Sequence, residues 1–421
     1  MESGLTTRIA KRLFLQTLRS AQGCFIEVVC QDGVHEFGDP RNELHATIAV
    51  HDETFFRRAV LGGDIGVGES YMAGEWSSPD LVSVVRAAVR NMAGIDDSNR
   101  AVAAVTRLVN WLRHLCNDNS LRGSRRNIAY HYDLGNDFYR MFLDESMAYS
   151  CAYYEDAADS LKLAQVQKFD RICRKLELGP GDHLLEIGTG WGGFAAYAAS
   201  TYGCRITTTT ISRQQYEFAE SRFAEMHMGG EKIKLLFEDY RHLKGQFDKI
   251  VSIEMFEAVG FKHYDEFFTA CDRLLKPQGA MLLQTITMNE RNFRRYLAQS
   301  DWIKKYIFPG AELASVSEMQ RSMARCTRLQ MTNLEDIGLH YALTLRAWRE
   351  RFLERLDEVR KLSFDERFLC RWEFYLAYCE GGFRERYIGD AQMLMVKTGN
   401  AGTLFDHGSA ISKITVGEVG D

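Results

Sequence analysis

A chain of 421 residues exceeds one ordinary domain, and two are expected. With 46% hydrophobic and 26% charged residues it has the composition of a globular protein with real cores, and no run of about eighteen uncharged apolar residues is present to cross a bilayer. The formal net charge of −5 gives no global pull toward nucleic acid or anionic lipid, so no nucleic-acid partner is expected and any membrane contact must use a local patch.

The start of the chain carries Arg8, Lys11 and Arg12 among Leu5, Ile9, Leu13 and Leu15, without the long apolar region or small-residue cleavage site of a secretory signal. Such a segment can lie in a bilayer interface, but an amphipathic helix packed on its own domain is the commoner arrangement. Phe25–Val29 and Leu44–Val50 read as short strands. From Thr54 the spacing turns helical, through Phe55, Phe56, Ala59, Val60 and Leu61, and is expected to stop at Gly62-Gly63. The glycine-rich stretch from Asp64 to Trp76 lacks a Lys-Ser/Thr ending and is not a phosphate loop. Leu81–Met92 and Ala101–Leu115 read as helices, and the polar run Cys116–Ser124 as a hinge, which divides the chain into 1–116, a linker at 117–126, and 127–421. The ten cysteines show no C-x-x-C or Cys/His ligand spacing, which argues for reduced thiols in a cytoplasm and against a metal site.

His183-Leu184-Leu185-Glu186-Ile187-Gly188-Thr189-Gly190-Trp191-Gly192-Gly193-Phe194 reads as strand, tight turn and helix. Gly188, Gly190 and Gly193 allow a ligand to lie against the main chain at the first turn of a helix, which suits a nucleoside-containing cofactor. The G-x-G-x-x-G pattern is shared by nicotinamide, flavin and S-adenosylmethionine enzymes. A nicotinamide site usually has an acid at the end of the second strand, whereas Cys204–Thr210 runs into Ile211-Ser212-Arg213-Gln214-Gln215 without one. The acid stands one strand earlier, at Glu186, which resembles the first motif of class I S-adenosylmethionine methyltransferases.

Strands are expected at Lys232–Phe237, Phe247–Ile253 and Gly279–Ile286 with helices between them. The fold class is therefore α/β: a doubly wound Rossmann-like methyltransferase sheet with a smaller N-terminal α+β domain. Ligands of such sheets sit beyond the carboxyl ends of the strands, which gathers Glu186–Gly190, Thr210–Gln215, Asp239-Tyr240, Ile253–Glu257 and Gln284–Ile286 around one crevice. The aromatic block Trp372–Tyr378, with Phe383 and Tyr387, is expected to close over it or line a channel. Arg384, Glu385 and Arg386 read as a solvated face.

Three further stretches, together with the glycine turn, carry a specific resemblance. His131-Tyr132-Asp133-Leu134-Gly135-Asn136-Asp137-Phe138, Tyr149-Ser150-Cys151-Ala152-Tyr153, the glycine turn, and Met255-Phe256-Glu257-Ala258-Val259-Gly260 are similar in order and spacing to the cyclopropane fatty acid synthase family. The likeness continues through Trp302–Gly310 and Trp372–Tyr375, and Gly66–Tyr71 resembles the N-terminal domain of the bacterial long forms.

The resemblance implies transfer of the S-adenosylmethionine methyl to a cis double bond in a phospholipid acyl chain. It places Tyr149, Ser150, Glu186, Gly188, Gly190, Thr210, Gln215, Asp239, Tyr240 and Ile253 at the cofactor, with Asp239-Tyr240 at the adenine. Its catalytic positions fall on Cys151, Glu257, Gln284, Ile286 and Tyr341, around a bound bicarbonate that acts as base. Gln284 replaces the family's histidine, and an amide can hydrogen-bond an anion but carries no proton. Ala258 also replaces a histidine, and Glu254 stands where ring-forming members have glycine. Tyr341, Phe256, Tyr306 and Trp372 are the aromatic candidates for stabilising a carbocation. The same resemblance implies a cytoplasmic protein, peripheral at the inner membrane face, with residues 1–116 serving lipid contact and homodimerisation on a bilayer with unsaturated chains. Non-cyclic methyl or methylene transfer, and a lipid-binding protein with a decayed centre, are the alternatives.

Overall fold

Period-2 alternation sets the small sheet. In β1 (Phe25–Cys30) and β3 (His45–Val50) the side chains of Ile26, Val28 and Cys30 and of Ala46, Ile48 and Val50 are buried, while their alternates, the buried Phe25 at the strand start excepted, are more exposed. The computed structural model describes residues 2–98 and 134–400 of the chain. With β2 (Gly33–Gly38) and β4 (Trp76–Ser77) these strands form a sheet of order β2-β1-β3-β4, in which β1 and β3 are parallel. The opening helix Glu2–Leu18 packs on this domain, with Phe14 edge-on to Phe55 and Phe56 at 5.2 and 5.5 Å.

The helix expected to stop at Gly62-Gly63 does not stop. It runs from Thr54 to Met72, broken only at Gly63, whose φ of 58° and ψ of −137° form a kink. Gly63 can adopt this conformation because it has no Cβ. The next helix, Leu81–Ser98, extends beyond the expected Met92. The expected helix Ala101–Leu115, the hinge, the 117–126 linker and the His131-Tyr132-Asp133 part of the motif lie outside the described residues.

The large sheet follows the doubly wound expectation. β5 (His183–Ile187), β6 (Arg205–Thr210), β7 (Ile233–Phe237), β8 (Phe247–Ile253) and β9 (Leu275–Met288) are parallel and covered on both faces by helices, and all but the threonine-rich β6 carry several apolar residues. Together with β10 (Leu329–Asp336) and β11 (Ile388–Lys397) the order is β10-β11-β9-β8-β5-β6-β7. β11 is inserted antiparallel between β9 and β10, placing Gln392 opposite Gln284 and Asp390 opposite Ile286.

One apolar core runs from Ala10 in the opening helix to Phe383 in the helix Glu366–Arg384. Where helices Leu81–Ser98 and Glu366–Arg384 cross, a Cβ on Gly381 would lie 2.6 Å from Val85 Cγ1, so only glycine fits that approach. Polar contacts follow the same seam: Tyr71 Oη donates to Glu373 at 2.9 Å, Trp302 N–H to Asp64 at 3.0 Å, and Tyr306 Oη to Glu69 at 2.7 Å. Glu385, read from sequence as solvated, instead accepts from Arg86 at 2.6 Å and Arg90 at 2.7 Å, because the helix crossing brings both guanidinium groups onto it. Arg384 likewise pairs with the buried Glu380 at 2.7 Å, whereas Arg386 is 63% exposed as expected.

Candidate active site

The strand-turn-helix of β5 is stitched to β6 by two bonds, from the Gly188 and Thr189 N–H groups to the Thr209 carbonyl at 3.0 Å. Gly188 and Gly190 take φ values of 102° and 52°. A Cβ on Gly190 would meet nothing within 4 Å, so this turn faces open space large enough for a ligand. Gly193 has a different task from the one its place in the pattern suggests. Its missing Cβ makes room for the Ser146 carbonyl at 2.5 Å, seating the segment that leads to Tyr149 over the turn. That segment is held at several points: Gln165 Nε2 donates to the Ser150 carbonyl at 3.0 Å, Lys168 Nζ to Ser150 Oγ at 2.6 Å, and the Ala152 N–H to Thr344 Oγ1 at 3.0 Å.

The open space is a cavity of about 790 Å³, ample for a cofactor. All the expected cofactor residues line it: Tyr149, Ser150, Glu186, Gly188, Gly190, Thr210, Gln215, Asp239, Tyr240 and Ile253. Glu186 is buried, and burial pushes its carboxyl up to about 8 against the opposing bond from Thr208 Oγ1 at 2.5 Å. Thr210 Oγ1 donates to Gln215 Oε1 at 3.0 Å and so orients that amide. Burial would raise Asp239, but the Arg241 guanidinium, 2.9 Å away, holds it below the usual carboxylate range. A glycine turn open at Gly190, a buried acid and a polar rim fit S-adenosylmethionine.

Glu257, Ile286 and Tyr341 also line the cavity, while Cys151 and Gln284 lie behind its wall. The side chain between them and the cavity is Glu254. Its Oε1 accepts from the Cys151 N–H at 2.7 Å and from Gln284 Nε2 at 2.9 Å, and its Oε2 from Tyr341 Oη at 2.7 Å. The Cys151 contribution is thus its main-chain N–H. Burial keeps the thiol protonated, with Sγ on the Ala152 carbonyl at 3.2 Å. Glu257 Oε1 accepts from the Ile286 N–H at 2.6 Å and from Thr285 Oγ1 at 2.9 Å, while its buried Oε2 has no hydrogen-bond partner. Burial, and then the neighbouring Glu254, push Glu257 up to about 8.

Lys168 and Asp390 join this cluster without any signal in the local sequence. Burial brings Lys168 down to about 8, opposed by Glu254. Burial and Glu254 push Asp390 well above the carboxylate range.

Of the four aromatic residues proposed from sequence, Tyr341 alone faces the cavity. Phe256 packs against Tyr264 and Phe267, Tyr306 bonds Glu69, and Trp372 packs edge-on to Phe138 at 4.7 Å. Their places are taken by Tyr375, whose Oη lies 2.8 Å from that of Tyr149, and by Phe383, stacked on Tyr341 at 4.4 Å. Phe374, Tyr378 and Tyr387 of the expected aromatic block line the wall as well. From this junction the cavity continues into the N-terminal domain, along Val67, Ala59, Phe55, Ile48, Ala88 and Phe14. Among the described residues one group of potential metal ligands exists, Cys30, Asp32 and His35, and the Lys11 ammonium already lies 2.8 Å from Asp32.

A family model described as mycolic acid cyclopropane synthetase matches residues 119–393. The chain is 38% identical over 407 residues to the tuberculostearic acid methyltransferase UfaA1 of Mycobacterium tuberculosis, covering 93% of this chain and 91% of the relative. It is 40% identical over 350 residues to the cyclopropane-fatty-acyl-phospholipid synthase of Escherichia coli K12, covering 82% and 86%. Among solved structures, the mycolic acid cyclopropane synthase CmaA1 complexed with SAH and CTAB superposes with a TM-score of 0.60 at 32% identity, over 65% of this chain and 98% of that one. With its glycine turn, buried acid and doubly wound sheet, the chain is an S-adenosylmethionine-dependent methyltransferase and belongs to the cyclopropane synthase family.

Proposed function

We propose that the protein transfers the methyl group of S-adenosylmethionine to the cis double bond of unsaturated acyl chains in membrane phospholipids and closes a cyclopropane ring. The observation that carries this reading is the continuity of the cavity: the glycine turn and the apolar branch inside the N-terminal domain open into one space, with Glu254, Glu257 and Tyr341 between them. The stretch of hydrocarbon beyond the double bond suits the apolar branch, which leaves the double bond at the junction.

Bound at the turn, S-adenosylmethionine supplies an electrophilic methyl group. An alkene is a weak nucleophile, so the protein must align it with that methyl, exclude water, and stabilise the cation that develops on the second alkene carbon. Tyr341 and Tyr375 line this junction, and aromatic rings attract a cation without bonding to it. Tyr149, Ser150, Thr210 and Gln215 serve the amino-acid and ribose end of the cofactor, and Asp239 and Tyr240 the adenine.

A bilayer substrate supports a cytoplasmic protein working peripherally at the inner membrane face, with residues 1–116 as the lipid-contact and homodimerisation domain. Among the described residues no helix is long and apolar enough to cross a membrane. Expression in a host rich in cis-monounsaturated phospholipid tests the reaction. Fatty acids heavier by one CH2, with the strongly upfield proton signals of a strained ring, are expected. Vinylidene protons with the same mass gain would overturn ring closure, and no mass gain would overturn the reading. Flotation with phospholipid vesicles and sedimentation of the free protein test the membrane and dimer assignments.

A further inference from the structure

Glu254 stands at the end of β8 with φ of 48°, a left-handed conformation that favours glycine and that bulky residues rarely adopt. Such strain persists only where the surroundings impose it, and it clusters at functional sites. Here the side chain is shut off from bulk solvent but open to the cavity, and its carboxylate collects three donors, from Cys151, Gln284 and Tyr341, at 2.7 to 2.9 Å.

The orientation of one of these donors, the Gln284 amide, is fixed from a distance. Lys175 Nζ has only protons to offer and donates to Gln392 Oε1 at 2.9 Å, so the Gln392 amide must direct Nε2 the other way, to Gln284 Oε1 at 3.1 Å. Gln284 in turn must direct Nε2 at Glu254, with Asp390 Oδ2 also within 3.1 Å. A lysine at one end thus sets the polarity of a buried amide chain that terminates on the Glu254 carboxylate.

A bound bicarbonate does not fit this arrangement. Cys151, Tyr341 and the residue at 284, three of the positions that the family resemblance gives to that anion, already donate to Glu254. A further anion would also lie among Glu254, Glu257 and Asp390, where Lys168 is the neighbouring buried cation. Burial and the charge of Glu254 keep protons on Glu257 and Asp390; burial also lifts Glu254 itself above the ordinary carboxylate value, opposed by the bonds from Tyr341 and the Cys151 N–H and by Lys168, and a carboxylate so raised is the stronger base.

We propose that the Glu254 carboxylate is the built-in base of this enzyme, standing where a relative would bind bicarbonate. The assignment rests on the methyl-transfer reading above. As the methyl carbon leaves sulfur and bonds to one alkene carbon, positive charge develops on the other. A Glu254 oxygen takes one proton from the new methyl group, and the electron pair of that C–H bond closes the third side of the ring. The products are S-adenosylhomocysteine, the cyclopropane and a neutral Glu254, which returns its proton to water after release.

The test measures labelled methyl transfer into phospholipid vesicles, in buffer stripped of carbon dioxide and again with added bicarbonate, for the wild type, Glu254→Gly and Glu254→Gln. Glycine suits the left-handed backbone, so the first variant retains the fold, and calorimetry with S-adenosylhomocysteine checks that both variants keep the cofactor site. The wild type is expected to be indifferent to bicarbonate. Glu254→Gly should lose at least about a hundredfold in rate and recover on adding bicarbonate, which can enter the vacated space and take the freed donors. Glu254→Gln should lose as much and not recover, since its amide fills that space. A wild type that needs bicarbonate, or a Glu254→Gln variant that keeps its rate, would overturn the assignment while leaving methyl transfer standing. A wild type that transfers no label under either condition would remove the functional reading and the assignment with it.

Discussion

Gln284 and Gln392, on neighbouring antiparallel strands, share a hydrogen bond of 3.1 Å from Gln392 Nε2 to Gln284 Oε1, and this bond aims the other end of the Gln284 amide at Glu254. Gln392→Met should therefore reduce turnover without weakening cofactor binding. It leaves a buried carbonyl and Lys175 each short of a partner, at a cost of about 1–3 kcal/mol. Urea denaturation and S-adenosylhomocysteine titration, run beside the methyl-transfer assay, separate the two effects. Full activity in a correspondingly destabilised variant would show that the aim of Gln284 is irrelevant.

Glu257 and Glu254 should respond differently to the same substitution. Glu257 is held protonated near neutral pH by burial and by Glu254, so Glu257→Gln replaces one neutral group with another of the same shape. Its rate is expected to stay within about tenfold of wild type, against the hundredfold or greater loss expected on removing a general base. Steady-state kinetics on the two variants decides this. Equal losses would assign Glu257 a direct part in proton transfer.

Glu186 makes stability of the ligand-free protein depend on pH. Its folded pKa, about 8, lies above the ordinary 4.5. The folded state therefore binds the proton more tightly than the unfolded chain, and stability falls as pH rises from about 4.5 to 8. The whole effect is at most about 5 kcal/mol, at 1.36 kcal/mol per pKa unit. Denaturant titrations at intervals across this range should show a slope that Glu186→Gln flattens. An unchanged slope would place the titration on another group.

Gly381→Ala should lower the melting temperature, because the new methyl would meet Val85 Cγ1 at 2.6 Å where the two helices cross. Overpacking of this kind costs about 1–3 kcal/mol. Adding Val85→Ala should restore much of the loss, and a double-mutant cycle measures the coupling. Additive effects would mean that the crossing relaxes without strain.

Ala59→Phe narrows the apolar branch of the cavity without touching the cofactor end. Turnover of long unsaturated chains is expected to fall about tenfold, in the range that a few methylenes command in a hydrophobic pocket, while S-adenosylhomocysteine affinity stays the same. A variant with undiminished turnover on all chain lengths would place the tail elsewhere.

The sequence by itself determined the elements whose causes are local. The apolar run His183–Ile187 followed by clustered glycines could fold only as strand, turn and helix, and the rule that ligands sit at the carboxyl ends of parallel strands gathered Glu186, Thr210, Asp239 and Glu257 from sequence alone. Period-2 burial in β1 and β3 was legible for the same reason. The helix past Gly63 was not, since glycines that usually end a helix here serve a kink and, at Gly68, a close approach to Trp302.

What only the tertiary structure decided is who touches whom across long separations. Asp390 and Gln392 read as ordinary strand residues until β11 is inserted antiparallel beside β9, when register brings them opposite Ile286 and Gln284. Lys168 and Lys175 look like the wet face of a helix, yet packing buries both. Trp372 and Phe256 are aromatic residues in matching motifs that packing turned into the core instead of the cavity. Glu254 was visible as a carboxylate in an unusual place. That three donors converge on it follows from the strand order and from a lysine two amides away, because a hydrogen-bond chain acquires its direction only when its far end is fixed.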